Sequence, residues 1–421
     1  MRTNKTHWPS LLILVTFGVS AALLVALFAG LGMSSFIDLF NTAGDPAGQM
    51  IVAFAYGFEL LVLFVCSWFV LQRSMGREQA NLPFIFPFAE WQIFAVIGIV
   101  VVSVLVGAAV SYTEIAWLTW LFLPILTILV IVPPIWLLFG IGTKGIELGS
   151  RWHVFTILGL GLTIGPLIMI VLELTVLMSI LVVGGVFIAI QQPDLFTELT
   201  NVGKILEQET NPDLILNLFA PYLRNPVVIG TVLGYIAVII PLIEELFKPL
   251  ALWIFARRLT SPAQGFAMGM LSGGAFALIE SLNASGDGSL SWAAIVSIRA
   301  GTSLLHMTAS GLVGWGISSA FLEKRASRFF AAYFTAAGIH GIWNACAAGA
   351  SISSIGESIG RPEWLINYIP ALVCGMLILG MGMFVVLIAS NRKLRSPLPS
   401  HSDQQLQIKN LPAENENQSP P

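Results

Sequence analysis

The chain has 421 residues, 56% of them hydrophobic and 10% charged, with a mean hydropathy of +0.84 and a net charge of −3. Soluble domains carry about 25% charged residues, so this chain has too little polar surface for a water-soluble fold, and the bilayer is its natural solvent. The weak net charge and the lack of a basic stripe exclude a reader of nucleic acid. Cys66, Cys346 and Cys374 lie in apolar stretches without a CxxC pair, which argues for small buried hydrophobes and against a disulfide framework.

A span needs about 20 apolar residues. The opening MRTNKTH precedes a run from about Leu11 to Gly32. That run exceeds a signal-peptide core and has no small-x-small cleavage site followed by a soluble domain, so it reads as a retained first helix at 10–32. Further spans are predicted at 49–71, 92–111, 117–141, 154–190, 226–257, 263–284, 291–321, 329–350 and 363–390. The fifth is long enough to tilt, kink, project from the bilayer or divide in two. Between the fifth and sixth, PDLFTELTNVGKILEQE and PDLILNLFAPYLR have the pattern of short amphipathic helices lying on the membrane, or else form an ordinary connection. The end of the chain, from about Ser396, is rich in Pro, Asn, Gln and Ser and is expected to be disordered.

The fold class is therefore all-α, a polytopic transmembrane bundle of about ten spanning helices. Loop charge supports the count. With a cytoplasmic N-terminus carrying Arg2 and Lys5, alternate loops hold Arg73 and Arg77, Lys144 and Arg151, Arg257 and Arg258, then Lys324, Arg325 and Arg328. The tail adds Arg392, Lys393, Arg395 and Lys409, while the opposite loops hold only Lys204, Arg224 and Arg361. Cations concentrate on the cytoplasmic side, so both termini are expected there. The expected organisation is N-terminal accessory helices over 1–190, an extracytoplasmic amphipathic loop over 191–225, a bundle bearing the chemistry over 226–390, and a disordered cytoplasmic tail over 391–421.

Ionisable residues inside spans are costly and often functional. The first five spans hold only the isolated carboxylates Glu59 and Glu173, each expected to be protonated or paired within the bundle. The next four are different. The sixth carries Glu244, Glu245 and Lys248 in PLIEELFKPL; the seventh carries Phe276 and Glu280 in FALIESLNA; the eighth carries Arg299 and His306; the ninth carries His340 and Asn344 in IHGIWNA. Burying so many polar groups is unfavourable unless they share a site. Glu244 and Lys248 are four apart and Glu245 and Lys248 three apart, so both carboxylates reach the lysine. Adjacent glutamates diverge by about 100° around a helix axis, so only one points straight into a site. Pro241 and Pro249 flank the pair and can kink the helix or free its carbonyls. Gly269 and Gly273, Gly311, Gly314 and Gly316, and Gly338 and Gly341 permit close helix approach, which is also common in general membrane packing.

Two histidines with two or three carboxylates in one wet pocket suit hydrolytic metal chemistry. Imidazoles and a carboxylate can hold a divalent metal such as Zn²⁺, and a further glutamate can take the proton of its bound water. Here His306, His340 and Glu280 are the candidate metal ligands, and Glu244 or Glu245 is the candidate base. Lys248 can keep a glutamate ionised or steady an oxyanion, and Asn344 can orient His340 or the oxyanion.

In order and in helix spacing, EELFK, FALIE, the single His306 and HGIWN resemble the motif set of the PrsW family of intramembrane proteases: EExxK, FxxxE, an isolated histidine, and a histidine followed four residues later by Asn or Asp. That family is grouped with the CAAX prenyl protease and bacteriocin-processing (Abi) superfamily. The resemblance covers roughly 226–350. It implies catalytic or metal-binding roles for Glu244, Glu245, Glu280, His306 and His340, with Lys248 and Asn344 in support. It also implies a membrane-anchored protein substrate such as an anti-sigma factor, and an address in a bacterial inner membrane. The superfamily is usually called metal-dependent, and a metal-free glutamate mechanism is also argued for relatives. The five additional N-terminal helices depart from the family. Buried Glu, His and Lys relays also suit a proton-coupled transporter, although no paired broken segments are visible, and a non-catalytic membrane scaffold is a third reading.

Overall fold

The computed structural model describes residues 8–41, 44–209, 211–354, 356, 359–360 and 363–395. Arg2, Lys5, Arg361 and the tail from 396 onward lie outside them. The described chain is helical, and the extended pairing among these residues is an isolated bridge between Pro83 and Ser150.

Apolar length dictates the first elements. Helices α1 (Trp8–Asn41), α2 (Pro46–Ser74), α3 (Gln92–Tyr112) and α4 (Ala116–Thr143) follow the predicted runs. The long fifth run divides at Leu162–Thr163 into α5 (Arg151–Gly161) and α6 (Ile164–Gln191). The amphipathic pair follows as α7 (Pro193–Leu206) and α8 (Pro212–Leu223), each with Pro in its first turn, and Tyr222 Oη of α8 donates to Glu198 of α7 at 2.9 Å.

The sixth run is broken three ways. It comprises α9 (Pro226–Gly234), a π-helical turn at Tyr235–Ile239, α10 (Ile240–Phe247) and α11 (Leu250–Phe255). Then come α12 (Pro262–Asn283), α13 (Trp292–Leu322), α14 (Ala326–Ser354) and α15 (Ile369–Leu394). The last helix runs four residues into the segment assigned to the tail. Its Asn391 Nδ2 donates to the Gly142 and Lys144 carbonyls at 2.9 Å each and secures the end of α4.

Among the described residues, eight segments are long and apolar enough to cross a membrane. The other two expected spans are α13 and α14, of 31 and 29 residues. At 1.5 Å per residue they reach roughly 45 Å, so length suffices. Their lower apolarity reflects the polar residues that they bring to the interior.

The loops segregate as their charges predict. At one end, Phe84 N donates to Gly149 O at 2.8 Å, Gln264 Nε2 to Leu148 O at 3.3 Å, and Lys144 pairs with Glu90 at 2.7 Å. At the other, Asp45 caps α2 through Gly48 N and accepts from Gly288 N, both at 2.9 Å.

Helix α12 is the hub. It packs against α2, α4, α5, α11 and α13. Its seam with α13 is built on backbone contact. A Cβ on Gly269 would lie 2.2 Å from the Ser310 carbonyl oxygen, and one on Gly273 would lie 2.4 Å from the carbonyl oxygen of His306. These glycines therefore set the distance between the helix of Glu280 and the helix of His306. The N-terminal half is not a separate layer. Buried Phe17, Leu63, Val70 and Ile157 share one apolar cluster with Leu252, Phe266, Met270 and Ile317. Glu59, buried in α2, accepts from Asn283 Nδ2 of α12 at 2.9 Å and so has the partner expected for it.

Gly273→Val should destabilise the protein by about 1–3 kcal/mol through overpacking against a carbonyl that cannot retreat without moving His306. Gly274→Ala, whose new Cβ would meet Met307 Cε at an ordinary 3.4 Å, should be tolerated. Thermal unfolding of the two variants in detergent distinguishes them.

Candidate active site

The double glutamate lies on α10, where the helix is distorted on both sides. Upstream, the π-helical turn exposes carbonyls, and Asn344 Nδ2 donates to that of Ile236 at 3.1 Å. Helix α14 comes so close that a Cβ on Gly341 would lie 2.2 Å from Ala237 O. Downstream, Pro249 cannot continue the ladder. Trp253 Nε1 serves Leu246 O at 3.0 Å, and Ser272 Oγ of α12 serves Lys248 O at 2.5 Å. Tyr333 Oη donates to Leu242 O at 2.8 Å. The unsatisfied backbone of a broken membrane helix is thus supplied by side chains of α11, α12 and α14, as a low-dielectric interior requires.

These supports present Glu244, Glu245 and Lys248 to α13 and α14. Lys248 is fully buried. Its Nζ lies 2.8 Å from Glu244 Oε2, 2.8 Å from Glu245 Oε1, 2.8 Å from His306 Nδ1 and 3.5 Å from His340 Nδ1. It also stands 4.5 Å from the centroid of Phe276, whose ring meets that of His306 edge-on at 5.1 Å. Phe276 is one turn before Glu280 on α12, so the FxxxE spacing sets an aromatic floor under the ammonium and a carboxylate beside it.

An ammonium only donates, which fixes the imidazole tautomers. His306 Nδ1 accepts from Lys248, so its proton is on Nε2, 2.6 Å from Glu280 Oε2. His340 Nδ1 is closer to Glu245 Oε1, at 2.9 Å, than to Lys248, so it carries its proton on Nδ1 and leaves the Nε2 lone pair free, 3.7 Å from Glu244 Oε2. Glu280 Oε1 is held by Arg299 Nη1 at 3.0 Å. The site opens on this side: the Glu280 and Arg299 side chains are 34% and 31% exposed, whereas those of Glu245 and Lys248 are fully enclosed.

The sequence-predicted residues therefore divide. Glu244, Glu245, His306 and His340 form one buried group whose potential ligand atoms all lie within 4.8 Å of one another, with Lys248 at its centre. Glu280, expected beside the histidines as a ligand, reaches His306 from behind through Nε2. Asn344, expected to orient His340 or an oxyanion, directs its amide nitrogen to the π-helical turn. Tyr333, Ser272 and Trp253 were not singled out from sequence. Their signal is the proline-broken helix, whose spare carbonyls need donors from somewhere.

The cluster's helices decide its kinship. Residues 214–377 match the PrsW family of intramembrane metalloproteases. The matched stretch begins in α8, ends in α15 and includes every residue of the cluster. Neither the curated proteins nor the solved structures contain a match to this chain. By this match the part of the chain that carries the cluster is similar to intramembrane proteases.

The family description raises the question of a metal, and the donor set fits one. Two imidazoles and two carboxylates suit a borderline divalent ion. Glu245 Oε2 is buried without a hydrogen bond among the described residues, Glu244 Oε2 has Lys248 as its ion-pair partner, and His340 Nε2 has a free lone pair. The fit has one condition. Lys248 Nζ occupies the centre of the group, so an ion bound by all four residues requires the ammonium to withdraw.

Breaking a buried ion pair costs about 3–5 kcal/mol because the remaining charge is stranded. Lys248→Met should therefore be severely destabilising, and Glu245→Gln less so. The double variant should be more stable than the sum of the two single effects allows, by at least about 1 kcal/mol. A double-mutant cycle from denaturant unfolding in micelles measures this coupling.

Proposed function

We propose that the chain is an endopeptidase that hydrolyses a peptide bond of a membrane-anchored protein, in or near the bilayer. The supporting observation is the convergence of Glu244, Glu245, His306 and His340 around one buried point, on helices that otherwise have no reason to carry charge. On this reading 226–390 is the catalytic bundle and 1–190 the accessory part. The end with the basic loops faces the cytoplasm of a cell membrane, in keeping with the positive-inside bias.

Each residue then has a role. Glu244 is the base: it is the member of the glutamate pair with access to the opening, and its Oε2 lies beside the free Nε2 of His340. A water held by these two atoms gives its proton to Glu244 as its oxygen attacks the carbonyl carbon. The carbon–nitrogen bond then breaks, and Glu244 returns the proton to the departing amine. Glu245 anchors Lys248 and fixes the ring of His340. The Lys248 ammonium is the cation nearest the developing oxyanion and is already oriented. Glu280 and Arg299 hold His306 in position. A divalent metal such as Zn²⁺, held by His306, His340 and a carboxylate, would add Lewis acidity and acidify a bound water.

Glu244→Gln should reduce cleavage by at least about 100-fold, the usual contribution of a general base, with little loss of stability. Glu245→Ala should lose both activity and stability, because it strands Lys248. Comparing the membrane proteomes of wild-type and Glu244→Gln cells should reveal a protein that stays uncut in the variant. Full activity of purified Glu244→Gln protein on that substrate would refute the assignment.

A further inference from the structure

One intramembrane carboxylate has no place in this scheme. Glu173 lies on α6, 41 positions before the region matched by the family, on a helix whose neighbours Leu167, Ile170, Val171, Leu174 and Met178 are exposed as a lipid-facing surface. Its own side chain is half-buried. Unlike Glu59, its carboxylate has no hydrogen-bond or ion-pair partner among the described residues.

Three observations aim Glu173 at the site. Helix α6 packs against α10, the helix of the glutamate pair. Tyr235, in the π-helical turn just before α10, donates from its hydroxyl to the backbone carbonyl of Glu173 at 2.8 Å and pins this residue beside the broken helix. The carboxyl group is within electrostatic reach of Glu244, Lys248 and Glu280. Glu173 is thus a half-buried carboxylate beside the broken helix, at the edge of the cluster. Glu244, itself 7% exposed, has its Oε2 paired with Lys248 at 2.8 Å.

Charge then points to the ligand. Among the described residues, the cations paired with Glu244, Glu245 and Glu280 are Lys248 and Arg299, which leaves Glu173 without one. Negative charge without compensation is strongly disfavoured in a low-dielectric interior. A substrate segment entering at this opening meets a wall that favours a positive group and repels a negative one. Resting on the protease reading above, we infer that Glu173 selects substrates carrying a lysine or arginine close to the scissile bond. It acts as a specificity residue contributed by the N-terminal half.

The test uses the full-length protein in proteoliposomes and a set of single-span hydrophobic peptides. One residue near the centre of each peptide is varied among Lys, Arg, Gln, Glu and Leu, and the products are read by mass spectrometry. Wild type should cut the Lys and Arg peptides about tenfold better than the Gln peptide at one position, a modest value for a close charge pair. In Glu173→Gln that ratio should fall to near one. Glu173→Asp should keep part of it, and Glu173→Lys should invert it in favour of Glu. Size-exclusion profiles and unfolding temperatures confirm that the variants are folded, and the ratio within each variant is insensitive to the amount of active protein. Cleavage by wild type without a basic preference, or an unchanged preference in Glu173→Gln, overturns the inference and leaves the protease reading standing. If wild type cuts no peptide and the Glu244→Gln proteome matches that of wild type, the protease reading fails and the inference fails with it.

Discussion

A lysine ammonium buried within a membrane bundle is the constraint from which the rest of this structure follows. A charge at that depth costs roughly 2.5–3.5 kcal/mol even on insertion-based scales, and Lys248 is completely enclosed. It is stable only because carboxylates from its own helix, imidazoles from α13 and α14 and the ring face of Phe276 from α12 all turn toward it. That arrangement requires four helices to meet at one depth. Close approach of four helices in turn requires small residues at the seams, which is the role of Gly269, Gly273 and Gly341.

The sixth span is broken around the pair. Glu244 and Glu245 diverge around the regular turn of α10, and both still reach Lys248, four and three positions on. The π-helical turn before the pair and Pro249 after it leave spare carbonyls. In lipid these carbonyls need donors, and Asn344, Trp253 and Ser272 supply them. Two of the three donors belong to helices that also carry site residues. Backbone repair and site assembly are thus the same set of contacts, so a variant that loosens either will disturb the other.

Much of this was legible in the sequence, for reasons that also mark where legibility stops. Apolar runs and loop cations gave the helices in order, because both are local signals. Residues on four consecutive spans identified the site, because charge in a membrane is conspicuous. The spacings Glu244–Lys248 and Phe276–Glu280 were readable because they lie within one turn of helix. The direction in which a side chain donates was not. Lys248 reads as a partner of its own glutamates, whereas its central position depends on two histidines 58 and 92 positions away. Asn344 reads as part of the HGIWN face, and its actual partner exists only because residues 235–239 depart from α-helical geometry. Glu173 and Glu59 look alike in sequence. One finds Asn283 and the other is held beside the π-helical turn by Tyr235, a difference set by tertiary packing alone.

The N-terminal helices then acquire a physical meaning that a motif comparison cannot give them. They are outside the matched 214–377, yet they complete the core around Phe266 and Met270 and hold Asn283, three residues beyond Glu280, through Glu59. A carboxylate buried in α2 and bonded to α12 will resist any movement of α12 that leaves Glu59 without its partner, since an unpaired polar group in that interior costs about 1–3 kcal/mol. Helix α2 therefore restrains the helix that carries Glu280, while α6 packs against α10. An added set of helices that touched only lipid-facing surfaces would be dispensable to the chemistry. Helices that hold the neighbour of Glu280 in place belong to the architecture of the cluster, although they lie outside the matched region.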